Sequence, residues 1–286
     1  IYDLPWYVVV GESGSGNTEA IRHCNVGFPP GLQDRFQGVG GTRNMHWWFT
    51  NHALIVDTAG RLFEEKDPVS MREWEEFLKL LLKSRKNCPI NGLILVVPAT
   101  SLLKDRVDEL EQKATRVAEQ FDFMQRVLDI RFPVYVVITK CDLIPGFREY
   151  FEHIDQPDLQ HQIFGWSCRS ALEEPFEAES IDQDFDPLLG SLRSRKLALL
   201  RDPTPVSGSG RRIDDVDRLY GFPEKLREKI LNPLKQYLRL VFAGGTWATR
   251  PLFLRGIYLT SSMRKGSPLD ADLAEAPGAV REALRP

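Results

Sequence analysis

At 286 residues, the chain is long enough for one large domain or two smaller ones, and its 42% hydrophobic and 27% charged residues give an ordinary globular balance. A formal net charge of -3 offers no basic field for nucleic acid. No apolar run approaches the ~18 residues of a membrane span.

The four cysteines, Cys24, Cys88, Cys141 and Cys168, contain no C-x-x-C pair, and with the five histidines they show no metal-ligand spacing. Free thiols in a reducing compartment are the expectation. The chain opens on Ile1 rather than Met, without a signal peptide, so a soluble piece of a longer protein is expected.

Residues 5–10 read as a buried strand that feeds a glycine-rich turn, Gly11-Glu12-Ser13-Gly14-Ser15-Gly16-Asn17-Thr18, and residues 17–24 read as a short helix. Residues 27–41 are rich in Gly and Pro and are expected to be irregular. His46–Thr50 and Ala53–Asp57 read as a hairpin turned by Asn51-His52. A helix is expected over 70–84, with Met71, Trp74, Leu78 and Leu81 on one stripe and a capping box from Ser70 to Glu73. Leu93–Val97 is a central strand. Ser101 is read as the cap of one long helix through Leu128. Pro133–Ile138 is another buried strand, and Ile163–Ser167 is read as the last strand of the core.

From about residue 176 the pattern changes. Helices are expected over 185–200 and 223–243, the second kinked by Pro233. A flexible loop is expected at 202–210, a strand near 252–261, and a poorly ordered tail. The division is residues 1–175 as an α/β domain and 176–286 as a helical extension returning one strand. Alternating strands and helices with solid β-branched runs predict a mostly parallel sheet covered on both faces, with one antiparallel edge strand.

Three motifs fall at strand ends. The first has the layout of a phosphate-binding loop, G-x-x-x-x-G-K-[ST], with Gly11, Ser13, Gly14, Gly16 and Thr18 in place and Asn17 where the lysine belongs. The second, Asp57-Thr58-Ala59-Gly60, supplies a carboxylate able to organise a magnesium-bound water and an N–H for a γ-phosphate. The third, Thr139-Lys140-Cys141-Asp142, matches the position that reads a guanine base, with Asp142 accepting from the base edge, Lys140 packing along the ring and Thr139 in place of the usual Asn. Thr42 is the candidate switch threonine, and Thr18, Thr42 and Asp57 are the candidate magnesium ligands. Arg43 and Arg61 are candidates to place charge near the phosphates, with a surface or structural ion pair as the equal alternative. No residue stands out as a general base. Asn17 can donate hydrogen bonds but has no charge, so weak nucleotide binding and slow or absent hydrolysis of GTP or ATP are expected.

The run Gly40-Gly41-Thr42-Arg43-Asn44, Trp47-Trp48-Phe49-Thr50, Ala53 and Asp57-Thr58-Ala59-Gly60-Arg61 resembles the cytoplasmic region of the IcmF/TssM family. The resemblance continues at Tyr220–Pro223, Leu254–Ser261 and Gly266–Asp270. It implies a small-GTPase-like P-loop fold with a C-terminal helical extension, at the cytoplasmic face of a bacterial inner membrane. It implies as partners the other membrane-complex subunits of type VI secretion and its baseplate, with the full-length protein membrane-anchored. The resemblance assigns Gly11, Gly16 and Thr18 to the phosphate loop and Thr42 to the switch. It assigns Asp57 and Gly60 to the second motif, and Thr139, Lys140 and Asp142 to base recognition. Two functions follow, a structural docking module with a degenerate nucleotide site or an active or regulatory GTPase/ATPase. A trafficking-type GTPase is a weaker third.

Overall fold

The computed structural model describes residues 3–24, 27, 45–58, 60, 68–151, 163–168, 174, 176–201, 213–243 and 252–261. Thr42, Arg43, Arg61, the loop at 202–210 and the tail lie outside the described residues.

Among the described residues, seven strands form one sheet in the order β2-β3-β1-β4-β5-β7-β6. They are β1 (Trp6–Gly11), β2 (His46–Phe49), β3 (Leu54–Asp57), β4 (Gly92–Pro98), β5 (Pro133–Thr139), β6 (Gly165–Ser167) and β7 (Phe253–Leu259). The inner five run parallel, and β2 and β6 run antiparallel at the two edges. Continuous Val/Ile/Leu runs make the inner strands because both of their faces are covered.

The helices are α1 (Asn17–Arg22), α2 (Pro68–Ser84), α3 (Ala99–Lys104), α4 (Val107–Leu128), α5 (Phe147–Phe151), α6 (Ser180–Arg201), α7 (Ile213–Leu226) and α8 (Asn232–Val241). One face of the sheet carries the larger core. Val8, Val56, Leu93, Val136 and Ile257 pack there against Trp74 and Leu78 of α2, Phe121 of α4, Phe185 of α6, Phe222 of α7 and Leu234 of α8. This core runs through residues on both sides of position 175. The other face buries a smaller cluster, Val9, Ile21, Trp48, Ile55 and Val96, under α1. The adjacent tryptophans split between faces as period two requires. Trp48 is buried in the small cluster, and Trp47 packs edge-on against Trp6 and Phe77.

Several local expectations change. The helix expected from Ser101 to Leu128 is two helices, because Asp105 and Arg106 are both extended. At the start of the second helix the Glu109 carboxylate accepts from the Arg106 backbone N–H at 3.0 Å. Helix α2 opens at Pro68, whose fixed φ suits a first turn, so Ser70 lies inside it and buried rather than at its cap. The β2–β3 turn is clamped by Thr50, whose hydroxyl donates to the Ala53 carbonyl at 2.7 Å and accepts from the Ala53 N–H at 2.9 Å. Between α7 and α8 a π-turn spans Arg227–Leu231 just ahead of Pro233. Proline brings no N–H to the carbonyl four residues back, and the wider turn absorbs that loss without breaking the rod. The strand at Gly165–Ser167 is an edge strand, since β7 inserts between it and β5.

A phosphate-loop-like site at the ends of the strands

Parallel strands leave their C-terminal ends along one rim. The chain crosses from β1 to β3 on one side and then from β3 to β4 on the other side of β1, so the switch point of this open sheet lies at the end of β1. All three sequence motifs meet on that rim.

The glycine turn has the backbone its sequence requires. Gly14 and Gly16 sit at φ of +73° and +91°, a left-handed conformation that costs glycine nothing. The Ser15 N–H closes the turn onto the Glu12 carbonyl at 3.0 Å, and Ala20 N–H bonds Gly16 at 2.9 Å. A Cβ at Gly11 would lie 2.8 Å from the Val96 carbonyl, so the loop leaves β1 with no space for a side chain. Asn17, the residue in the lysine position, is buried, and its carboxamide oxygen accepts from the buried Ser15 hydroxyl at 2.8 Å. The same oxygen lies 2.8 Å from where a Gly11 Cβ would be, so the carboxamide folds back against the base of its own loop.

Thr18 donates its hydroxyl to the Asp57 carboxylate at 2.6 Å. Asp57 is fully buried at the end of β3. The next residue, Thr58, ties that strand to β1 by donating its hydroxyl and its N–H to the Val9 carbonyl, at 2.8 and 3.2 Å. A Cβ at Gly60 would come within 2.4 Å of the Ser13 nitrogen, so the second motif lies directly against the first.

At the other end, Thr139 donates to the Ser15 carbonyl at 2.5 Å, so the third motif braces the glycine turn. Lys140 takes φ of +55°, and Asp142 follows in a short 3-10 turn over Cys141–Leu143. One Asp142 oxygen accepts from the Ser261 hydroxyl at 2.5 Å, and the other lies 3.9 Å from Arg148. Ser261 stands just past β7, whose end is locked by Thr260 N–H to Ile138 and by Cys141 N–H to Thr260, at 2.8 and 3.2 Å. Burial pushes the Cys141 thiol far up and keeps it protonated.

Two contributors escaped the sequence reading. In the sequence Ser261 marks only the end of the expected strand and of the resembling run Leu254–Ser261. Lys113 lies on α4, where helical periodicity singles out only the apolar stripe. Its ammonium reaches Glu12 of the glycine turn at 2.8 Å, Asp105 at 2.6 Å and the Ser101 hydroxyl at 3.0 Å. Burial alone would lower this lysine, but the hydrogen bonds it donates to Asp105 and Glu12 outweigh it and raise it above the ordinary value.

The donor chemistry fits one half of a magnesium nucleotide. A hydroxyl and a carboxylate from Thr18 and Asp57 are oxygen ligands suited to a hydrated magnesium, which keeps several waters and needs few protein groups. Among the described residues no group of three or more His, Cys, Asp and Glu side chains forms a metal cluster. At the lysine position of the glycine turn stands Asn17, whose carboxamide is neutral and turned into the loop.

These features define an open α/β domain with a glycine turn at its switch point. Residues 68–285 match the family described as the IcmF-related N-terminal domain. The chain belongs to that family. It is 36% identical over 275 residues to the type VI secretion system component TssM1 of Pseudomonas aeruginosa strain PAO1, a match covering 94% of this chain. The chain spans about a quarter (24%) of that relative's length. Among solved structures, the signal recognition particle receptor SRb-GTP/SRX complex from Chaetomium thermophilum is 12% identical, with 93% of this chain and 94% of that chain covered and a TM-score of 0.40. A probable GTP-binding protein, engB, is 20% identical over 49% of this chain and 71% of that chain, with a TM-score of 0.31. Among the described residues no helix is long and apolar enough to cross a membrane.

Proposed function

We propose that this chain is a docking module of a bacterial type VI secretion membrane complex, built on a small-GTPase-like fold whose nucleotide site has lost its phosphate-gripping cation. Family membership and the match to TssM1 support the setting. In that setting the module works at the cytoplasmic face of the inner membrane, and the other membrane-complex subunits and the baseplate are its partners.

The observation that carries the degenerate site is Asn17. A lysine there would reach the β- and γ-phosphates. The carboxamide instead satisfies Ser15 inside the loop. Loss of a charge-assisted contact in a closed site costs about 2–4 kcal/mol of ligand affinity. The chain's own residues retain backbone N–H groups for a diphosphate and Thr18 and Asp57 for hydrated magnesium, while Asp142, at the base position beside Lys140, already accepts from Ser261. When bound, magnesium would neutralise phosphate charge. Within the chain, Thr18 and Asp57 would orient its water shell.

A regulatory NTPase is the second reading, favoured by the intact Thr18–Asp57 pair at 2.6 Å. Fluorescent GTP and ATP analogues, titrated with magnesium while hydrolysis is followed, separate the two. The docking reading predicts weak binding and no steady turnover. Clear turnover abolished by Asp57→Ala establishes the NTPase instead.

A further inference from the structure

The two faces of the sheet are finished differently. Helices α2 to α8 all give buried residues to the larger core, and among the described residues only α1, six residues long, packs on the second face. Its cluster takes in Val9, Ile55 and Val96, with Ile94 and Val137 partly buried at the margin. Strand β3 is buried at every residue, as a doubly covered strand should be. Strand β5 is not. Its Val134, Val136 and Ile138 are buried, and Pro133, Tyr135 and Val137 between them are half-buried. An inner strand of a parallel sheet that alternates in this way has one face that the described residues leave short of cover.

The floor of that face is flat and aromatic. The register puts Tyr7, Ile94, Tyr135, Val137 and Tyr258 on it. The Tyr7 and Tyr135 rings meet edge to face at 6.2 Å, and both fold over Gly92, where a Cβ would lie 3.0 Å from one ring and 3.1 Å from the other. Tyr258 folds back over Gly256, whose Cβ would lie 2.4 Å from its hydroxyl, and that hydroxyl shares a hydrogen bond with Ser167 at 3.0 Å. Rings laid over glycines leave room for a further element above them. Arg255 stands beside Tyr135 and Arg131 lies over the Phe253 ring, so the border carries positive charge.

The chain leaves β7 beside this face, through Ser261 on its Asp142 anchor, and residues 262–286 follow outside the described residues. The family match runs through them to residue 285, so they belong to the domain. Their sequence carries helix signals. Ser267-Pro268-Leu269-Asp270 is a capping pattern with proline in the first turn, and Pro277-Gly278 is a stop. Leu269, Leu273 and Ala276 fall on one helical stripe. Between Pro268 and Ala276 stand Asp270, Asp272 and Glu275 and no cation.

We propose that residues 268–276 dock as a short helix on this face, over Tyr135 and Tyr258, and complete the second layer of the sheet. The reach suffices. From Ser261 to Ser267 an extended chain spans up to about 21 Å, and Tyr135, level with Gly256, lies about 17 Å back along β7. The apolar stripe covers the half-buried rings, and the acidic positions meet the border of Arg131 and Arg255. The surface is separate from the nucleotide chemistry and does not depend on it.

The test is amide exchange of residues 268–276 in the full 286-residue chain, with hydroxyl-radical footprinting of Tyr135 and Tyr258, in wild type and in the double variant Leu269→Asp with Leu273→Asp. In wild type, exchange should be slowed about tenfold or more against an unstructured peptide, equally at low and high protein concentration. The double variant alters the tail alone and should leave the circular dichroism of the core in place. It should abolish the slowing and raise the oxidation of both tyrosines. Wild-type exchange at the unstructured rate overturns the proposal, and so does slowing that the double variant leaves untouched. Slowing lost without exposure of the tyrosines also overturns it, because that places the segment elsewhere. Slowing that appears only at high concentration does the same, because it makes a second copy the occupant.

Discussion

At the phosphate end of the rim, Gly14 and Gly16 keep their left-handed turns, and Asn17 stands in place of the cation. At the base end, Lys140 and Asp142 keep the residue types, but the Asp142 carboxylate already holds Ser261 at 2.5 Å and faces Arg148 at 3.9 Å. One end has kept its backbone and lost a charge. The other has kept its charge and engaged it internally. What persists at both ends is what also holds the fold together. Thr139 ties the base motif to the glycine turn, Thr58 ties β3 to β1, and Ser261 ties β7 to the turn after β5. A phosphate-loop lysine serves the ligand alone, so its replacement leaves these contacts intact.

The comparison can be broken most severely at the cradle. Gly11→Ala puts a methyl group 2.8 Å from the Val96 carbonyl in a central strand, and overpacking of this kind costs about 1–3 kcal/mol. Urea unfolding checks it, and a cost near zero would mean that the loop yields instead of serving as a rigid frame. Asp142→Ala sharpens the other half. It removes the acceptor of Ser261 and a carboxylate 3.9 Å from Arg148, for an expected loss of about 1–2 kcal/mol. The same melt measures it, and an unchanged midpoint would show that the carboxylate is not part of the framework.

Lys113 gives a smaller effect with a pH signature. Its raised value means that the stabilisation is fully present below the ordinary lysine value of 10.5 and is lost as pH rises through the folded-state value. Wild type should exceed Lys113→Met by about 1 kcal/mol near neutrality. On the alkaline side the gap should close above 10.5. Denaturant melts at neutral and alkaline pH check this, and a gap that persists unchanged through the alkaline range would assign it to something other than the charge on Lys113.

Much of the rim was legible because solid runs such as Val8–Val10 and Leu93–Val97 announce parallel strands, and parallel strands bring their ends together. Thr18 and Asp57 could be paired from motif order alone. The internal partners were not legible. Ser261 meets Asp142 from 119 positions away and Thr139 meets Ser15 from 124, and no local pattern signals such pairs. The break at Asp105–Arg106 was hidden by Leu103 and Val107, which continue the apolar spacing across two extended residues. The turn at Asn51-His52 was legible in place but not in cause, since the clamp is the Thr50 hydroxyl.

Calorimetric titration of magnesium–GTP into the wild-type chain and into Asn17→Lys tests the missing charge most directly. Weak wild-type binding, tightened by about 30- to 900-fold in the lysine variant, is the predicted result. Submicromolar binding by the wild type, with no gain from lysine, would contradict it and require another positive group at the loop.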